Sequence, residues 1–86
     1  MESFKSFIDL IASTDDIALL EDFFLGITTT TERHALLQRV EIVKRLLDDQ
    51  PQLKIAKDLG VGIATVTRGS KELATGRFKL LRKLRT

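Results

Sequence analysis

Between Gln52 and Ser70 the chain reads Gln-Leu-Lys-Ile-Ala-Lys-Asp-Leu-Gly-Val-Gly-Ile-Ala-Thr-Val-Thr-Arg-Gly-Ser. This run spaces a small residue, a glycine and a β-branched apolar residue as a helix-turn-helix requires. Ala56 falls where two helices cross at close range and a larger side chain would force them apart. Gly60 falls where the chain must leave the first helix with positive φ, which glycine adopts without steric cost. Val66, ten residues after Ala56, is expected to pack the second helix back onto the first. Ile63, Ala64, Thr65 and Thr67, at the start of that second helix, are then expected to face outward, where such motifs meet base edges in the major groove.

The remaining pattern is helical. Phe4, Phe7, Ile8 and Ile11 form a stripe over residues 3–12. Ser13-Thr14-Asp15-Asp16 supplies N-cap chemistry ahead of Ile17, Leu19, Leu20, Phe23, Phe24 and Leu25, a short helix apolar around much of its circumference that Gly26 is expected to end. Thr29-Thr30-Thr31-Glu32 reads as a capping box that opens a long third helix running to about Asp48, with a broad apolar face built from Leu36, Val40, Val43, Leu47, Ala35, Ile42 and Leu46. Gln50-Pro51 stops it, and Pro51 suits the first position of the next helix. The second motif helix spans Ile63 to about Ala74. Its β-branched run has weak helix propensity, so local signals alone admit a strand, and the surrounding motif decides for helix. Gly76 breaks it ahead of a short C-terminal helix carrying Phe78, Leu80, Leu81 and Leu84 among Arg77, Lys79, Arg82, Lys83 and Arg85. The expectation is an all-α single domain, 1–86, of about six helices: a dimerisation core over 1–49, the helix-turn-helix over 50–76 and the basic helix over 77–86.

The net charge of +2 hides an asymmetry. Residues 1–49 carry five basic and ten acidic side chains, whereas residues 50–86 carry nine and two, so the halves stand at −5 and +7. Positive potential on the half that holds the motif suits phosphate contacts that weaken with salt. A chain of 86 residues buries only about 60 to 65% of its unfolded surface. Its first three helices are too apolar to cover one another, and a two-fold homodimer would bury the excess. There is no cysteine, and the lone His34, on the polar side of the third helix, builds no zinc site by itself, so no metal is expected. No apolar run reaches the ~18 residues of a membrane span, and Met1-Glu2-Ser3-Phe4-Lys5 lacks the basic region and apolar core of a leader; a cytoplasmic location is expected. No nucleophile, base and oxyanion donor can be assembled, which makes an enzyme the least favoured class.

From Thr28 to Ser70 the sequence resembles the Trp repressor family. The resemblance rests on Thr29 with Glu32-Arg33, Ala35-Leu36, Gln38-Arg39-Val40-Glu41-Ile42-Val43, Leu46-Leu47 and the run from Leu59 to Ser70, with a weaker match at Phe7-Ile8-Asp9-Leu10-Ile11. It implies an intertwined homodimer that binds L-tryptophan as corepressor and then a palindromic double-stranded operator controlling tryptophan supply. The docking of such dimers on half-sites about one helical turn (~34 Å) apart is known for helix-turn-helix proteins, Trp repressor itself among them.

The resemblance also implies roles. Arg39 and Arg68 match the arginines that sandwich the indole ring, Arg68 also facing the ligand carboxylate, which suits a planar guanidinium better than a lysine. Read without the resemblance, Arg39 would be a surface arginine paired with a neighbouring acid. Thr29 matches a threonine near the ligand. The backbone carbonyls of Gly26 and Thr28 match acceptors for its ammonium, contributed by the other subunit, and Gly69 allows close approach. Gln52, Leu53, Ile63, Ala64, Thr65, Thr67 and Ser70 match positions at the operator: Thr and Gln can bond bases or phosphates, Ile63 and Ala64 can exclude water or touch thymine methyls, and Ile63 can also serve as core.

The sequence departs from the family in having one residue fewer between Leu47 and Gln52, Lys71-Glu72 in place of small polar residues, Ala56 in place of a basic one and a shorter, more basic C-terminal helix. Glu72, beside the ligand ammonium, would add charge pairing. The basic stretch from Arg77 to Arg85 would add nonspecific DNA affinity. The alternatives are a ligand-independent helix-turn-helix regulator and a dimeric interaction domain whose basic half binds an acidic protein.

Overall fold

The computed structural model describes residues 3–85; Met1 and Glu2 of the N-terminal run and Thr86 at the end of the basic segment lie outside the described residues. Six helices follow one another with no strand among the described residues: α1 (Phe4–Ala12), α2 (Ile17–Ile27), α3 (Thr30–Leu47), α4 (Gln52–Leu59), α5 (Ile63–Ala74) and α6 (Lys79–Leu84). The chain divides into two compact units, Met1–Arg33 and His34–Thr86, with the boundary inside α3.

In the first unit, local chemistry sets each helix start. The Ser3 hydroxyl accepts from the Ser6 amide at 3.0 Å, and the Asp16 carboxylate accepts from the amides of Ala18 and Leu19 at 3.0 and 3.3 Å. Phe7 joins α1 to α2 by meeting Phe23 and Phe24 at ring-centroid distances of 6.2 and 6.4 Å, the latter edge-on. Neither helix holds a buried residue. Gly26 does not end α2 as its type suggests. The helix continues to Ile27 and is stopped by an extended Thr28, whose amide and hydroxyl both donate to the Phe24 carbonyl, at 3.1 and 2.5 Å. A threonine that caps with its own side chain removes the need for a left-handed glycine. The capping box at the head of α3 forms reciprocally: the Glu32 amide donates to Thr29 Oγ1 at 3.1 Å and the Thr29 amide to Glu32 Oε1 at 2.8 Å. That backbone bond holds the Glu32 carboxyl below its ordinary value, and the Thr29 hydroxyl adds to the effect.

The second unit is organised around Ile42, Ile55, Ala56 and Val66, with Leu46, Leu59 and Val61 packed against them. Gly60 takes φ +66°, and its amide reaches back to the carbonyls of Ala56 and Lys57 while the Val61 amide bonds Ala56 at 3.0 Å, closing α4 as its sequence predicts. α5 lies tight against α3: a methyl group added to Gly69 would come within 3.4 Å of Ile42 Cγ2 and 3.5 Å of Leu46 Cδ1. Arg45 bonds Glu41 at 3.1 Å and approaches Asp58 at 3.8 Å, while Lys54 donates to Asp58 at 2.6 Å. The Lys54 hydrogen bond is the main reason that the Asp58 carboxyl sits below the usual range.

Two further boundaries differ from the sequence expectation. Pro51 is the extended N-cap residue before α4 (ψ 141°) and not its first helical residue, and its carbonyl accepts the first helical bond, from the Ile55 amide at 3.1 Å. Phe78 lies outside α6 in the left-handed region at φ +65°, two residues after Gly76 at φ +96°, so that α6 starts only at Lys79.

Because its carboxyl is held low in the fold, Glu32 contributes stability that is present above the ordinary carboxylate range and lost as pH falls through the lowered value. The Glu32→Gln variant keeps a side-chain acceptor without a titrating group. Its urea midpoint is expected to fall less than that of the parent protein between about pH 6 and about pH 3. Equal losses in the two proteins would contradict the capping assignment.

Candidate functional site

The turn Gly60-Val61-Gly62 joins α4 to α5, and most of the side chains singled out at their two starts are exposed. Leu53 is 74% exposed, Ile63 is 43% exposed, and Ala64 and Thr65 face solvent. Thr67 departs from the outward orientation expected of it. It is half-buried, and its hydroxyl donates to Gln52 Oε1 at 2.9 Å, linking the first turn of α4 to the middle of α5. The bond occupies the Gln52 amide oxygen and turns its NH2 group, with two donors, into the group available to a base or a phosphate. Ser70 is half-buried on the next turn. Neither α4 nor α5 has a side-chain cap or an acid in its first turn, and in α5 the Thr65 amide turns back to the Gly62 carbonyl at 3.1 Å.

Arg39 and Arg68 are both exposed, and among the described residues neither makes a hydrogen bond or ion pair. The surface pairing with an acid expected of an ordinary arginine is thus not made; the neighbouring Glu41 serves Arg45 instead. Arg39 lies on the stripe of α3 that continues through Ile42, Val43 and Leu46, the three side chains nearest Gly69, and Arg68 directly precedes Gly69 on α5. The close approach that Gly69 permits is therefore between α5 and α3. Glu72 is half-buried, with Arg77 Nε 3.9 Å from its carboxylate.

The basic residues near the C-terminus are less available than their number suggests. Arg82 donates to the Leu73 carbonyl at 2.7 Å, capping α5, and Arg85 pairs with Asp48. With Arg77 facing Glu72, three of these arginines serve the fold.

Gly26, Thr28 and Thr29 lie in the first unit. Thr29 is occupied with its capping box, and Thr28 is held by a residue to which sequence reasoning gave no role. Arg33 Nη1 donates to the Thr28 carbonyl at 2.8 Å, to Thr28 Oγ1 at 3.2 Å and to the Leu25 carbonyl at 3.4 Å; Nη2 donates to Thr30 Oγ1 at 3.3 Å. One signal for it exists in the sequence. A cation in the first turn of a helix opposes the macrodipole and calls for acceptors behind it.

The Thr67–Gln52 bond joins two helices in a half-buried setting, and a double-mutant cycle of Thr67→Val and Gln52→Ala in urea unfolding is expected to give a coupling energy of about 1 kcal/mol. Additive losses would mean that the bond contributes nothing to holding α4 on α5.

Among the described residues no group of acids and histidine could hold a metal, and no helix is long and apolar enough to cross a membrane. The family model described as Trp repressor protein matches residues 2–85. A Trp operon repressor homolog of Vibrio vulnificus is 40% identical over 70 residues, covering 80% of this chain and 69% of the relative. The Vibrio cholerae homolog is 43% identical over 67 residues, covering 77% and 65%. That of Photobacterium profundum is 56% identical over 46 residues, covering 52% and 45%. With nearly its whole length matched and its helices in place, this chain belongs to the Trp repressor family of transcriptional regulators.

Proposed function

We propose that this protein is a tryptophan-dependent transcriptional repressor in which L-tryptophan, acting as corepressor, enables a homodimer to bind a palindromic operator controlling tryptophan supply. The observation that carries the reading is the state of Arg39 and Arg68: two exposed guanidinium groups with no partner among the described residues, on helices that Gly69 brings together. An arginine serving the fold would be engaged, as Arg45, Arg82 and Arg85 are. Two planar cations can stack on an indole, and Arg68 can pair with its carboxylate. The carbonyls of Gly26 and Thr28 from a second copy accept from the ammonium, with Thr29 nearby. Glu72 adds charge pairing there if Arg77 releases it.

The apolar surface left over supports a homodimer. α1 and α2 bury no residue, and Leu36, Leu37 and Val40 on α3 are exposed. Two copies present two α5 helices to successive major grooves, a docking known for Trp repressor itself. Ligand wedged against α3 and α5 favours the one spacing of those helices that fits DNA. A 10²-fold gain in operator affinity requires about 2.7 kcal/mol of coupling, within the ordinary range for linked sites. Gln52, Leu53, Ile63, Ala64 and Thr65 form the reading surface, Thr67 orients Gln52, and Ser70 sits at its edge.

The chain contains no tryptophan or tyrosine, so the fluorescence anisotropy of L-tryptophan can be followed directly as protein is added. A saturable rise is expected, weakened by about tenfold or more in Arg39→Ala and also weakened in Arg68→Lys, which keeps the charge and loses the planar face. A flat trace from folded, dimeric protein would favour the ligand-independent regulator.

A further inference from the structure

We propose that Arg33 is a positioning residue for the ammonium half of the ligand site, holding the Thr28 carbonyl in the orientation in which it accepts from the ligand. The assignment rests on the reading that L-tryptophan is the corepressor.

Thr28 lies between two helices, with φ −119° and ψ 149°, so its carbonyl belongs to the hydrogen-bond ladder of neither. A carbonyl in such a connection is free to turn unless something holds it. The Arg33 guanidinium does so from one side: Nη1 bonds the carbonyl oxygen at 2.8 Å and the hydroxyl of the same residue at 3.2 Å. The hydroxyl is anchored in turn, donating to the Phe24 carbonyl at 2.5 Å. The same fork reaches the Leu25 carbonyl at 3.4 Å and Thr30 Oγ1 at 3.3 Å, so one planar cation gathers the end of α2 and the start of α3. The capping box already closes the head of α3 through the amides of Thr29 and Glu32, and the α3 dipole disfavours a cation at this end. Arg33 is therefore not there to start the helix; its acceptors all lie in the corner that carries Thr28.

A carbonyl oxygen has two lone pairs, and Arg33 uses one. The second points away from the guanidinium and is the one open to an ammonium N–H. A lysine at position 33 would supply charge without the two-pronged geometry, and a glutamine would supply neither the charge nor the reach. The positive charge itself opposes a nearby ammonium, but at a partly exposed corner solvent and salt screen that repulsion, and orientation of the acceptor dominates.

The test compares two ligands in the intact protein: L-tryptophan, and indole-3-propionate, which keeps the ring and the carboxylate and lacks the ammonium. Both are followed by indole fluorescence anisotropy. Arg33→Lys and Arg33→Gln are each expected to weaken L-tryptophan about tenfold while changing indole-3-propionate by less than about twofold. Parallel weakening of both ligands would reduce Arg33 to a residue of the fold and overturn the assignment. Unchanged L-tryptophan binding, or tighter binding in Arg33→Gln, would overturn it as well. Parent protein that binds neither ligand would overturn the corepressor reading, and this assignment with it.

Discussion

α5 has little intrinsic reason to be a helix. Its opening run Ile63-Ala64-Thr65-Val66-Thr67 is rich in β-branched side chains, and no side chain caps its start. It is held helical from behind, by Val66 buried against Ile55, Ala56 and Ile42, and by Gly69 seated on Ile42 and Leu46. That dependence orders the rest. The small residues Ala56 and Gly69 let α5 lie close to both α4 and α3, Gly60 turns the chain so that it can, and the Thr67–Gln52 bond sets the rotation of one helix against the other. A segment whose structure comes from packing and little from propensity is also one whose order a ligand at the α3–α5 contact can change. The proposed coupling of ligand to DNA needs such an element.

Polar groups complete the division of labour. Arg45, Arg82 and Arg85 spend their charge on the fold, each on a carboxylate or a helix-end carbonyl, whereas Arg39 and Arg68 do not. Net charge alone would count all five alike. In the first unit Arg33 plays the structural part, and it does so at the corner where the proposed ammonium acceptors sit, so that one side chain joins fold and site.

What was legible in the sequence was local. The capping box at Thr29 and Glu32, the N-cap chemistry within Ser13-Thr14-Asp15-Asp16 and the left-handed Gly60 all depend on chemistry within a few residues, and the structure has each of them, whereas α5 was legible only through the motif around it. Gly26 misled because a glycine signals a helix end only when a left-handed residue is needed, and Thr28 ends α2 by other means. Phe78 gave no sign of its positive φ, since nothing about a phenylalanine favours it. Thr67 and Gln52 are fifteen residues apart and meet only once α4 and α5 have packed. Two of the four bonds of Arg33 run to backbone carbonyls, which carry no signature in the sequence. Among the proposed ligand residues, only the resemblance singled out Arg39 and Arg68; the structure adds that both guanidinium groups are unengaged among the described residues.

In the proposed function, sequence-specific DNA binding depends on L-tryptophan. That dependence is tested most directly by selecting duplexes from a random pool with the full chain at moderate salt, in parallel with and without saturating L-tryptophan. A two-fold symmetric sequence is expected to be enriched only when the amino acid is present. The same sequence enriched equally well without it would rule out a corepressor and identify a regulator that reads DNA unaided.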